Sequence, residues 1–166
     1  MKKLLRSLII FVAFSFISGQ IQAQAPTVEA SNTQLAYKWP GTAASISWTR
    51  GNGQACMVVM RKNSSAGYVP SNNTTNYTAN ATYGSGSTVN GAADNYIIYK
   101  GTGTSVFVSG LTANTLYDVY VYEYNTITVF GPTTYYYNTN YSQSALGFST
   151  AAAQPSTCGS ISGVNP

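Results

Sequence analysis

Very few side chains in this chain could do acid–base or metal chemistry. There are four carboxylates, Glu29, Asp94, Asp118 and Glu123, and no histidine. Without an imidazole, neither a Ser-His-Asp nor a Cys-His arrangement can be assembled, and imidazole metal ligation is excluded. A glycosidase needs two carboxyl groups facing each other across one sugar. Asp118 and Glu123 lie five apart on an extended run and project to opposite faces, while Glu29 and Asp94 fall in unrelated regions. Calcium asks for six to eight oxygen ligands, and no acidic cluster offers them. Gly84-Ser85-Gly86 and Gly101-Thr102-Gly103 do not stand between a strand and a helix, so they read as turns, not phosphate cradles. The chain is expected to be no enzyme and to hold no cofactor or metal.

Tyrosine and cysteine remain. Tyr120, Tyr122 and Tyr124 alternate along one run, and Tyr135, Tyr136, Tyr137 and Tyr141 crowd the segment after it. Tyrosine presents a large, stiff contact area with a polar tip, suited to protein recognition or to stacking on sugar rings. These seven are the candidate binding surface. The competing expectation is that the ladder packs beneath long inserts or pairs across a sheet. Cys56 heads an apolar run and Cys158 lies in a Pro/Ser/Gly tail. In an oxidising compartment they could form a disulfide; alternatively Cys56 is a buried free thiol and Cys158 pairs elsewhere.

Residues 1–25 have the tripartite pattern of an export signal: a basic start through Arg6, an apolar run from Leu8 to Ile17, and small residues at Ala23 and Ala25. The apolar run is too short to span a bilayer, which needs roughly 20 residues, so no transmembrane span is expected once the leader is removed. Loss of Lys2, Lys3 and Arg6 would leave five cations against four carboxylates, a net charge of +1. No basic patch survives to neutralise phosphates, so nucleic acid is not an expected partner. A secreted or cell-surface location is expected.

Residues 26–150 fit one domain. No stretch has an apolar 3.6-residue period, and short β-branched and aromatic runs recur between Gly/Asn/Ser/Thr clusters. Strands are expected at 27–35, 43–49, 55–62, 95–100, 105–109, 116–124 and 145–150, about seven in all, in a β-sandwich. The turns at Arg50-Gly51-Asn52-Gly53 and Gly101-Thr102-Gly103 read as hairpins. Along 116–124, Tyr117, Val119 and Val121 share the inward face. Two long inserts, 63–94 and 125–144, carry spaced aromatics and are expected to be ordered.

The run Gly110-Leu111-Thr112-Ala113-Asn114-Thr115-Leu116-Tyr117-Asp118-Val119-Tyr120-Val121 resembles the fibronectin type III signature Gly-Leu-x-Pro-x-Thr-x-Tyr-x-Val-x-Val, with Ala113 at the usual proline. By that resemblance Tyr117 is the tyrosine of a corner, its hydroxyl bonded to nearby backbone, and Leu111 packs beneath it. Ser45-Ile46-Ser47-Trp48-Thr49 resembles the second strand of the same fold, which makes Trp48 a core anchor. Through Trp48-Thr49-Arg50-Gly51-Asn52-Gly53, the apolar run Met57 to Met60, Gly84-Ser85-Gly86, Ile97-Ile98-Tyr99-Lys100-Gly101 and Tyr122-Glu123-Tyr124-Asn125, most of 34–150 is similar to an enlarged variant found in large secreted proteins of Gram-negative bacteria. The resemblance implies an immunoglobulin-like β-sandwich with two long inserts. It also implies a non-catalytic extracellular module for adhesion, spacing or partner binding; a carbohydrate-binding module with exposed tyrosines is the alternative. Partners would be neighbouring modules of a larger chain, or an extracellular protein or glycan. Residues 151–166 read as a linker or the start of a following module.

Overall fold

The structure, a computed structural model, describes residues 24–39 and 41–152. Most of the expected export leader, most of the expected linker 151–166 and Cys158 therefore lie outside the described residues. Eight strands form: β1 Ser31–Trp39, β2 Ala43–Thr49, β3 Ala55–Lys62, β4 Asn95–Gly101, β5 Ser105–Val108, β6 Leu116–Ile127, β7 Thr134–Tyr137 and β8 Leu146–Ser149. They make a β-sandwich of two antiparallel sheets. The three-stranded sheet has the order β1-β2-β5; the five-stranded sheet has the order β4-β3-β6-β7, with β8 also paired to β6.

Side-chain alternation explains which faces meet. On β2, Ala44, Ile46 and Trp48 are buried, while Ser45 and Ser47 look outward. On β6, Tyr117, Val119 and Val121 enter the same core, along with Leu111 from the preceding corner. The apolar run of β3 does not alternate, as expected of a strand buried on both faces. Cys56, Val58 and Met60 point between the sheets. Met57 and Val59 point the other way, into a second core.

That second core lies on the outer face of the five-stranded sheet and is roofed by the insert 63–94. Tyr77 and Val89 of the insert pack on Met57, Val59, Ile97, Tyr122, Tyr124, Tyr135 and Tyr137. The insert contains only a single 3-10 turn, Val89–Gly91, with Asn90 in the left-handed region. Its order comes from backbone and amide bonds. The Tyr77 hydroxyl donates to Asn90 Oδ1, and Asn90 Nδ2 donates to the Val69 carbonyl. Asn95 Nδ2 donates to the carbonyls of Ala66 and Ala93.

The same insert closes sheet edges. Asn80 N–H donates to the Ile97 carbonyl and Ile97 N–H to the Ser87 carbonyl, covering β4. Tyr83 N–H donates to the Ser109 carbonyl and Ser109 N–H to the Ala81 carbonyl, at the end of β5. Asn73 and Tyr135 exchange backbone bonds on β7.

The structure corrects the expected boundaries in three places. The turns at 50–53 and 101–103 are not hairpins: β2 and β3, and likewise β4 and β5, lie in different sheets, so both turns cross the sandwich. The expected first strand starts later, at Ser31, because 27–30 is held as a lead-in: Asn52 N–H donates to the Val28 carbonyl and Val28 N–H to Asn52 Oδ1. β7 is an additional strand inside the second insert, pairing Tyr124↔Tyr137 through Ile127↔Thr134 with a β6 that runs on to Ile127.

Candidate functional site

The tyrosines proposed as a binding surface are placed by β6, β7 and the loop that follows. The even-numbered positions of β6 face away from the sandwich core, as the alternation requires. They do not reach solvent. Tyr122 and Tyr137 are each 2% exposed, and Tyr124 and Tyr135 are also buried. Tyr135 and Tyr137 stand on one face of β7, so each lies beside Tyr124, with ring centroids 5.6 and 5.5 Å away. Tyr120 and Tyr136 are half-buried, and only Tyr141, at 37%, counts as exposed. The outward ladder is thus largely a packed layer, roofed by the insert 63–94. Tyr120, Tyr122 and Tyr141 interlock, Tyr141 meeting the other two edge-on at 4.9 and 5.9 Å.

Burial sets the acidity of these phenols. It pushes Tyr124 up to about 12 and raises Tyr122 and Tyr137 further, so the rings stay neutral. Lys100 borders this layer, its ammonium 4.2 Å from the Tyr135 ring centroid and 5.5 Å from that of Tyr124. It donates to Asn76 Oδ1 at 2.7 Å, and its burial lowers its pKa. Lys100 therefore clips the insert to β4.

The carboxylates are likewise engaged. Glu123 shares its parity with Tyr117, Val119 and Val121 and is fully buried at the end of the sandwich core. Arg50 Nε and a terminal guanidinium nitrogen reach its two oxygens at 2.7 Å each, while the N–H groups of Gly51 and Gly53 donate at 2.8 and 3.2 Å. Arg50 also donates to the Gly53 carbonyl, so one carboxylate ties down the whole β2–β3 crossover. The hydrogen bond to Glu123 raises the Arg50 pKa. A Cβ on Gly51 would lie 2.2 Å from the Val28 carbonyl oxygen, so only glycine allows the lead-in to pass here. Asp118 pairs with Arg61 at 2.9 Å and accepts from Asn63. Glu29 accepts from the Ser142 hydroxyl and the Gln143 N–H, and Asp94 from the Ser65 hydroxyl.

The remaining expected residues occupy the sandwich core. Trp48, Leu111, Tyr117, Val119 and Val121 are all buried, and the Tyr117 hydroxyl accepts the Thr112 N–H at 3.0 Å. Cys56 is a buried free thiol that burial pushes up to about 12.

Two features escaped the sequence reading. Arg50 and Glu123 stand far apart in the chain, and the only available signal was that Glu123 continues the inward parity of β6. The other is Phe130, fully exposed at the tip of the β6–β7 hairpin with φ +49. Among the described residues no group of three or more His, Cys, Asp or Glu could hold a metal ion. No protein-family model and no curated protein matches this chain.

Proposed function

We propose that this chain is a non-catalytic extracellular module of the fibronectin type III-like kind, serving adhesion, spacing or partner binding within a secreted protein. The observation that carries the reading is the route of the chain. It enters beside Asn52 and Asn125, where Asn125 Nδ2 donates to the Gln24 carbonyl, and leaves beside Asn114, whose N–H donates to the Ala151 carbonyl. These points flank opposite ends of β6, about 30 Å apart at the rise of an extended strand. A rigid body entered at one pole and left at the other is suited to a spacer in a string of modules.

The strand order supports the immunoglobulin-like part of the reading: β1-β2-β5 faces β4-β3-β6 with β8 beside β6. So does the Tyr117 hydroxyl, which bonds backbone a few residues upstream as a tyrosine corner does. The non-catalytic part draws support from the carboxylates, each of which is held by donors of the chain itself. On this reading residues 1–25 are an export leader and 151–166 a linker or the start of a following module.

The competing carbohydrate-binding role needs coplanar exposed tyrosines, and most of the candidate rings are buried. A glycan array probed with the secreted chain and with its Tyr68→Ala and Tyr141→Ala variants tests the proposal. No retention by the wild-type chain is expected. Retention that either substitution abolishes would overturn it in favour of a carbohydrate module.

A further inference from the structure

The β6–β7 hairpin projects past the end of β3, whose first residue Ala55 pairs with Tyr124, and carries Val129 and Phe130 at its tip. Val129 is half-exposed, and Phe130 is exposed on every side of its ring. Phe130 also sits in the left-handed backbone region, φ +49, where a bulky residue is an outlier and asparagine or glycine is the usual occupant. The tip therefore carries two costs, exposed apolar surface and backbone strain, and among the described residues nothing covers the Phe130 ring. Strain of this kind persists where the surroundings enforce it and points to a role. Here the enforcement is visible: β6 and β7 hold their register up to Ile127↔Thr134, and the Thr128 and Thr133 hydroxyls bond across the loop at 2.7 Å.

Two side chains on a finger cannot supply the roughly 800 Å² per partner that a stable protein–protein interface buries. They can enter a fluid apolar phase, which needs no complementary shape and returns free energy in proportion to apolar area immersed. The flanks suit the boundary of such a phase. From Tyr124 to Ala145 the sequence holds no Asp, Glu, Lys or Arg, so no charge is desolvated on insertion and none draws the tip to an anionic surface. Thr126, Thr128, Thr133 and Thr134 place hydroxyls just behind the apolar tip. Val28 adds an exposed apolar side chain on the lead-in held to Asn52, at the same pole.

We propose that Val129 and Phe130 form an insertion tip for uncharged, zwitterionic phospholipid surfaces, binding weakly and reversibly and independently of salt. This names a partner for the adhesive reading and rests on it. The glycan array and the experiment below can each fail without the other.

A Phe130→Trp variant of the full chain is titrated with zwitterionic phosphatidylcholine vesicles, some carrying brominated acyl chains. The wild-type chain supplies the background of Trp39 and Trp48. A blue shift and bromine quenching of the new indole, equal at low and high salt, are expected. Partitioning of the wild-type chain, read by its co-sedimentation with the vesicles, should fall about tenfold or more in Phe130→Asn, the loss of one aromatic side chain from an apolar phase. Asparagine tolerates the backbone angle, so this variant keeps the fold, and unchanged circular dichroism verifies that. Absence of both shift and quenching overturns the proposal and leaves an apolar pocket on a protein as the occupant. Binding confined to anionic phosphatidylglycerol vesicles, lost in high salt, also overturns it, as does binding that Phe130→Asn leaves intact.

Discussion

At the scale of single residues, the Glu123 carboxylate ties three residues of the β2–β3 crossover to the core. It satisfies one guanidinium and two backbone N–H groups in a site closed to water. Removing one partner of a buried ion pair strands the other, at about 3–5 kcal/mol. Glu123→Leu should therefore lower the unfolding free energy by about that amount in urea titrations. The double change Glu123→Leu with Arg50→Met should recover only part of the loss, because the partly buried N–H groups of Gly51 and Gly53 lose their acceptor.

Alkali acts on other residues. Burial raises Cys56 from 9.0 to about 12 and Tyr124 from 10.0 to about 12, so the fold prefers their neutral forms. Their stabilisation is complete below pH 9 and is lost as pH rises through this window, because the unfolded chain releases these protons first. Tyr122 and Tyr137 act in the same direction, and Lys100, whose pKa is lowered, acts against them. Urea midpoints measured across this range should fall with pH, and Tyr122→Phe should make the fall shallower.

At the scale of elements, β6 shows how one strand serves two cores and two edges. One edge pairs with β3 along its length; the other pairs with β8 at 116–119 and with β7 at 124–127. The gap between β8 and β7 is filled by a side chain. The buried Ser144 hydroxyl donates to the Val121 carbonyl and accepts the Val121 N–H. Ser144→Ala should cost about 1–3 kcal/mol, the penalty for an unsatisfied buried group, and should speed amide exchange at Val121.

The sequence was most legible where period and chemistry agree. In β2, small and apolar residues alternate with serines, and the tyrosine corner lies within twelve consecutive residues. It was least legible where tyrosine stands at successive positions. Tyr135, Tyr136 and Tyr137 do not alternate in polarity, so β7 read as loop, although alternate rings are buried. The two crossovers were misread for a related reason. Arg50-Gly51-Asn52-Gly53 has the composition of a hairpin, and the contacts that hold it as a crossover, to Glu123 and to the lead-in at Val28, are distant in sequence. The burial of the candidate tyrosines was hidden by the same non-local term, since the outward face of β6 is correctly an outward face and the insert that roofs it lies well upstream in the chain.

For the whole molecule, the two cores share β3 and β6 and cannot separate without breaking the five-stranded sheet. The Tyr77 ring of the insert closes the outer core from above. In a Trp39→Phe background, Trp48 fluorescence, which reports the inner core, and tyrosine absorbance, weighted toward the outer core by Tyr77, Tyr122, Tyr124, Tyr135 and Tyr137, should therefore give coincident unfolding curves. Tyr77→Ala should cost about 3 kcal/mol and uncouple the insert. Proteases should then nick 63–94 before Trp48 becomes exposed, and preserved coincidence in that variant would show that the insert folds for some other reason.

The insert also governs how such a chain behaves among copies of itself. Its backbone caps β4, the end of β5 and β7, three of the places where a foreign strand would otherwise add on. Identical domains joined in series meet at high local concentration, the condition under which exposed strands exchange between neighbours and tangle. A domain that closes these edges with its own chain can be duplicated side by side with less risk of that exchange. On the modular reading proposed above, the length of 63–94, unexplained by any chemistry it performs, becomes insulation between neighbouring modules.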